Sequence, residues 1–172
     1  MRFIALLVLA ASLSSAANSL SNRRAPGFSL PDAKFVRYDL QDFRGKWLLI
    51  DFMLTNCPHC RKLAGMLEEV KKVHGAKIQI LEVVLPPDTT ATVADYKSEL
   101  KITVPILFDQ GQMAASYFEA SPDKPSFDTP HLFIIDPQGT IVRDFGHDDA
   151  ELADTPALLK ELDACIKKAT KP

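Results

Sequence analysis

The chain is 172 residues long, 47% hydrophobic and 24% charged, with a formal net charge of −2. That length suits one domain with a real core, and the composition excludes wholesale disorder and a coiled coil. The charge offers no basic field to nucleic acid, no glycine-rich phosphate loop is present, and three cysteines are too few to staple a disulfide scaffold.

The N-terminus has the layout of a secretory signal: Met1-Arg2, an apolar run from Phe3 to Leu13, then small residues to Ala17. Residues 1–17 are expected to be a cleaved signal peptide. The run is shorter than the roughly 20 apolar residues of a spanning helix, so retention as an anchor is the alternative. The mature chain is then exported into a disulfide-permissive compartment. Residues 18–27 are polar and predict a flexible lead-in, and residues 28–172 form the domain.

Phe28 to Leu30 and Phe35 to Leu40 alternate weakly and predict an edge hairpin. Trp47 to Leu54 is an apolar run interrupted only by Asp51, the pattern of a strand buried on both faces. Cys57-Pro58-His59-Cys60 follows at once. Leu63, Met66, Leu67, Val70 and Val73 then recur at helical spacing, with Pro58 suited to the first turn and Gly75 to the stop. Ile78 to Leu85 predicts a second buried strand, ended by Pro86-Pro87. Asp88 or Thr89 caps a helix from about Ala91 to Leu100. Pro105 makes Ile102 to Phe108 an edge strand or extended segment. Gln112 to Phe118 is a short helix and Glu119 to Thr129 a loop. His131 to Ile135 and Thr140 to Phe145 are strands joined by a turn. Thr155-Pro156 opens a last helix. This order implies an α/β fold, a three-layer α/β/α sandwich around a mixed central sheet.

A C-x-x-C at a strand-to-helix junction reads as a redox pair. Structural zinc wants four ligands, and neither a second C-x-x-C nor paired histidines are available. A purely structural disulfide across so small a loop would constrain the unfolded chain little. The free N–H groups and dipole of the first helical turn favour a thiolate at Cys57, the natural attacker. Cys60, one turn in, is expected to be less exposed and to resolve a mixed disulfide. His59 should add to the stabilisation at Cys57 and make the disulfide more oxidising. No cofactor beyond a Cys57–Cys60 disulfide and no metal is called for. Cys165 reads as a small buried hydrophobe, His74 as a solvated charge at a helix end, and His147-Asp148-Asp149 as a polar turn. His131 either lines a groove or faces solvent.

Gly45 to Phe52 leading into the C-x-x-C, with Thr129-Pro130 just before a strand, resembles the thioredoxin superfamily. The N-terminal hairpin and an insertion between about Ala91 and Ser126 are similar to its exported redoxin branch, the TlpA/ResA-like proteins of AhpC/TSA-redoxin type. The resemblance covers roughly Phe28 to Lys168. It implies a thioredoxin-like sandwich and an exported, periplasmic thiol–disulfide oxidoreductase whose partners are thiols or disulfides of other proteins. It also implies a cis Thr129–Pro130 bond, with Pro130 against the disulfide and Thr129 offering backbone groups to a substrate chain. An ordinary trans proline is the alternative. Asp51, six residues before Cys57, stands at the family's spacing for a buried carboxylate. Burial would raise its pKa and let it take the Cys60 proton, whereas pairing with Lys46 would make it structural.

The chain departs from the family in three places. Met53-Leu54-Thr55-Asn56 replaces the usual Trp-Ala-Ser/Thr-Trp, Leu63 replaces a Glu, and His59 replaces a Pro. Pro58-His59 is the pair of DsbA-type oxidases, so the direction of electron flow stays open. Two other readings remain on the same fold. Phe52 to Pro58 and Leu85 to Thr89 resemble Sco-type copper chaperones, whose metal histidine would fall near Asp128. A peroxiredoxin-like antioxidant enzyme would need Thr and Pro where Leu54 and Ile50 stand.

Overall fold

The sheet is organised by β4 (Trp47–Met53), whose residues are all buried. The structure is a computed structural model that describes residues 20–169; the expected signal segment lies outside them. Alternation divides β4 between two cores. Trp47, Leu49 and Met53 enter one, while Leu48, Ile50 and Phe52 enter the other. A strand covered on both faces has no polar side, which is why the run is apolar throughout.

β5 (Ile78–Val84) lies parallel to β4 on one side, and β6 (Ile106–Phe108) parallel to β5 beyond it. Pro105 precedes β6, which is the edge strand, as the sequence predicts. On the other side β7 (His131–Ile135) and β8 (Thr140–Gly146) run antiparallel, giving a mixed six-stranded sheet. The far edge is β1 (Arg23–Arg24), paired with β8.

β1 corrects the expected flexible lead-in. Its polar composition hides three anchors. The Arg23 side chain bonds the carbonyls of Leu20 and Tyr117, the Ala25 N–H donates to the Gly139 carbonyl at 2.9 Å, and Ala25 is buried. The predicted hairpin forms a separate two-stranded unit, β2 (Ser29–Pro31) with β3 (Arg37–Asp39).

α1 (Pro58–His74), α2 (Thr90–Leu100) and α4 (Thr155–Ala169) cover the first core, which holds Leu63, Leu67, Val70, Val93, Tyr96, Leu158 and Leu162. α3 (Gln112–Tyr117) covers the other, where Phe52, Tyr117, Phe118 and Phe133 meet ring to ring. The fold is a thioredoxin-like α/β sandwich. Gly75 ends α1 at φ +56°, ψ −135°, a conformation that disfavours any side chain. His74 corrects its prediction: its side chain is largely covered, with Nε2 3.6 Å from Asp163 Oδ1 on α4.

α1 carries both cysteines of the motif, so its seating on the sheet fixes their position. Leu67 is fully buried on that face. Leu67→Ala is expected to cost about 2–5 kcal/mol, measured by urea denaturation, because the rigid surround cannot close the cavity.

Candidate active site

The motif sits where β4 hands over to α1. Cys57 is the N-cap residue of α1 and Pro58 follows in the first turn, where a missing N–H costs nothing. The Cys60 backbone N–H donates to Cys57 Sγ at 3.3 Å, so the sulfur does the work usually given to a serine or aspartate oxygen. Cys57 is half-buried and Cys60 fully buried, and both are free thiols. Of the two sulfurs expected to attack and to resolve, the first is thus partly accessible and the second covered.

The Thr129–Pro130 bond is cis, and the Thr129 carbonyl oxygen lies 3.8 Å from Cys57 Sγ. Pro130 is buried and Thr129 half-buried. Chain positions 57 and 129 therefore meet at one place. His59 is exposed, and its ring meets that of His147 edge-on, with centroids 5.5 Å apart.

The turn before Cys57 is held from outside the motif. Asp88 accepts from the Thr55 N–H at 2.9 Å and from the Thr55 hydroxyl. Asp88 follows a second cis bond, Pro86–Pro87. Thr89 takes the cap of α2, accepting from the Thr92 N–H at 3.3 Å, which leaves Asp88 free for this brace. The sequence offered both residues as caps and gave no sign of the brace.

Asp51 is fully buried and within electrostatic reach of both cysteines, and the sequence alternative of pairing with Lys46 is overturned: Lys46 is exposed. Among the described residues neither Asp51 oxygen meets a hydrogen-bond partner. Burial pushes its pKa well above the carboxylate range, and the charges of Glu82 and Cys57 push the same way, against a weak opposing pull from the His131 backbone. Burial also raises the Cys60 thiol, helped by its hydrogen bond with Cys57.

Glu82 is the residue that the sequence reading missed. It is paired with Asp51 in the β4–β5 register, fully buried and likewise without a hydrogen-bond partner among the described residues. Burial pushes it up to about 8, although Lys97 pulls it down. The signal was present: Glu82 interrupts Ile78 to Leu85 as Asp51 interrupts Trp47 to Leu54.

His131 Nε2 pairs with Asp144 Oδ2 at 3.2 Å, and its ring packs on Phe118 and Phe133. It lines a cavity of about 490 Å³ with Phe127, Asp128, His147 and Asp149, which gives the groove-lining alternative of the sequence. Cys165 is half-buried rather than buried, and burial pushes its thiol up to about 11. Among the described residues no three His, Cys, Asp or Glu side chains are grouped as a metal site. Asp128, near which the copper reading would place its third ligand, is exposed.

Fold and site define a thioredoxin-like protein with a redox-type cysteine pair at a helix N-terminus. Residues 22–144 match the AhpC/TSA family, and the chain belongs to that family. It is 28% identical over 121 residues to the thioredoxin-like protein YneN of Bacillus subtilis, covering 69% of this chain and 67% of that one. It is 26% identical over 120 residues to the thiol-disulfide oxidoreductase ResA of the same organism, covering 69% and 63%. The fold also matches a secreted Mycobacterium tuberculosis disulfide oxidoreductase homologous to DsbE, with TM-score 0.65, 17% identity, and 80% and 95% of the two chains covered.

Two predictions follow from the buried acids and the brace. Asp51 and Glu82 bind protons in the folded protein at pH values where the unfolded chain has released them. Stability is therefore full below the ordinary carboxylate pKa and is lost as pH rises towards 8 and beyond. Urea midpoints at pH 5 and pH 8.5 are expected to fall with pH in the wild type. They should fall much less in the Asp51→Asn, Glu82→Gln double variant. Asp88→Ala removes the brace on Thr55 and should cost about 1–3 kcal/mol in the same assay, for a lost charge-assisted pair of bonds.

Proposed function

We propose that the protein is an exported thiol–disulfide oxidoreductase, periplasmic in location, that exchanges a Cys57–Cys60 dithiol with cysteines of other extracytoplasmic proteins. The observation that carries this is the pairing of a half-exposed Cys57 Sγ, within 3.8 Å of the Thr129 carbonyl, with a Cys60 that is covered. Thr129 and Pro130 border the attacking sulfur, where a substrate strand would lie with its backbone beside Thr129. The layout of residues 1–17 supports export, as does the secreted M. tuberculosis fold relative. Among the described residues no helix is long and apolar enough to cross a membrane.

In the reducing direction the Cys57 thiolate attacks a substrate disulfide and one substrate sulfur leaves as a thiolate. The Cys60 thiol then gives its proton to the ionised carboxylate of Asp51, and its sulfur attacks Cys57 Sγ. The Cys57–Cys60 disulfide forms, and the second substrate sulfur departs with its electron pair. Two electrons pass to the substrate. The oxidising direction is the reverse, in which protonated Asp51 supplies the proton to the departing Cys60. The redox group is the cysteine pair itself.

Cys57→Ser is expected to abolish reduction of insulin disulfides, and Cys60→Ser to accumulate mixed disulfides visible on non-reducing gels. Full activity of Cys57→Ser would refute the assignment. The His59 imidazole, exposed at the helix start, favours the reduced protein and so a more oxidising couple. His59→Pro should lower the potential by at least ~30 mV, a tenfold step in the equilibrium, with both proteins equilibrated against a dithiol buffer.

A further inference from the structure

Glu82 has no part in the scheme above, yet it is the more unusual of the two buried acids. Adjacent strands lie about 4.8 Å apart, and residues in register on parallel strands point to the same face. Asp51 and Glu82 are such a pair, on the face that α1 and α2 cover. Their four carboxylate oxygens are buried and meet no hydrogen-bond partner among the described residues. A purely structural acid would be given donors, since an unpaired buried charge is costly.

We propose that Glu82 is a positioning residue for the redox pair: its carboxylate, fixed beside Asp51, sets the pH at which Asp51 exchanges a proton with Cys60. The role rests on the oxidoreductase reading. Two acids this close in a dry interior ionise one after the other, so a charge on Glu82 raises the pH at which Asp51 gives up its proton and strengthens its carboxylate as a base. When Cys60 resolves a mixed disulfide, its thiol proton passes to the Asp51 carboxylate. Its sulfur bonds to Cys57 Sγ, and the bond from Cys57 to the leaving sulfur breaks with its electron pair. Glu82 makes Asp51 the stronger base for that transfer.

The groups facing Glu82 are few. Asp51 stands on β4, Glu68 on α1, and Tyr96 and Lys97 on α2. Lys97 opposes the effect of Glu82, but its ammonium is engaged with the Val104 carbonyl at 2.7 Å. On the other flank Glu82 meets β6, where its backbone N–H donates to the Pro105 carbonyl at 3.0 Å and no charged side chain stands. His131 on β7 turns its ring to the opposite face, onto Phe118 and Phe133.

The test mixes the reduced protein with dithiobis(nitrobenzoate) in a stopped-flow instrument. The first thionitrobenzoate released reports attack by Cys57, and the second reports resolution by Cys60. Glu82→Gln removes the charge and keeps the shape, and Glu82→Leu does so with an apolar group should the amide not fold. In either variant the pH midpoint of the second release should move to lower pH by half a unit or more, with the first release unchanged. A packing role alone would alter stability and leave the midpoint in place. A midpoint equal to the wild type's, or moved to higher pH, overturns the role of Glu82 alone. Absence of a second release from the wild type would overturn the oxidoreductase reading and this role with it.

Discussion

Asp51 and Glu82 face the same core from neighbouring strands, and among the described residues neither carboxylate meets a hydrogen-bond partner. The packing around them is that of a sheet interior: Leu49 and Met53 flank Asp51 along β4, Ile80 and Val84 flank Glu82 along β5, and Leu132 sits across from Asp51 on β7. Replacing the acids by apolar residues of similar volume would leave a conventional core and a more stable protein. In the proposed scheme the pair holds and releases a proton beside the buried Cys60 thiol. Their burial carries a stability cost that grows with pH.

The remaining architecture delivers one sulfur to solvent and keeps the other covered. β4 ends at Met53, and the Cys57 N–H turns back to the Leu54 carbonyl at 3.2 Å. Asp88 clamps that turn from the loop after β5, and Arg61 reaches back to the Thr55 carbonyl at 3.2 Å. The segment before β7 then brings Thr129 over Cys57. The turn, the Asp88 loop and the 129–130 segment come from distant parts of the chain, and only the parallel order of β4 and β5 with β7 alongside makes them neighbours.

Most of this was legible in the residues. Continuous apolar runs marked β4 and β5, helical spacing and a Pro–Gly frame marked α1, and Pro105 marked an edge. β1 was not legible, because its pairing depends on Arg23 and on backbone groups of β8 rather than on apolar pattern. The Asp88 brace was hidden for a related reason. Its partner, Thr55, is 33 positions away, and a cap was the obvious local use for an Asp before a helix. Glu82 was legible in principle by the argument applied to Asp51. What the sequence lacked was the register that sets the two acids side by side.

The proposed chemistry needs Cys57 and Cys60 to form a single reversible two-electron couple with Cys165 outside it. The direct measurement equilibrates the purified protein across a glutathione redox series, quenches it with acid, alkylates it and counts free thiols by peptide mass spectrometry. One transition is expected, in which Cys57 and Cys60 are lost together into one disulfide and Cys165 remains alkylated throughout. Its midpoint should lie between the thioredoxin value of about −270 mV and the DsbA value of about −120 mV. Separate transitions for Cys57 and Cys60, or a disulfide that includes Cys165, would contradict it.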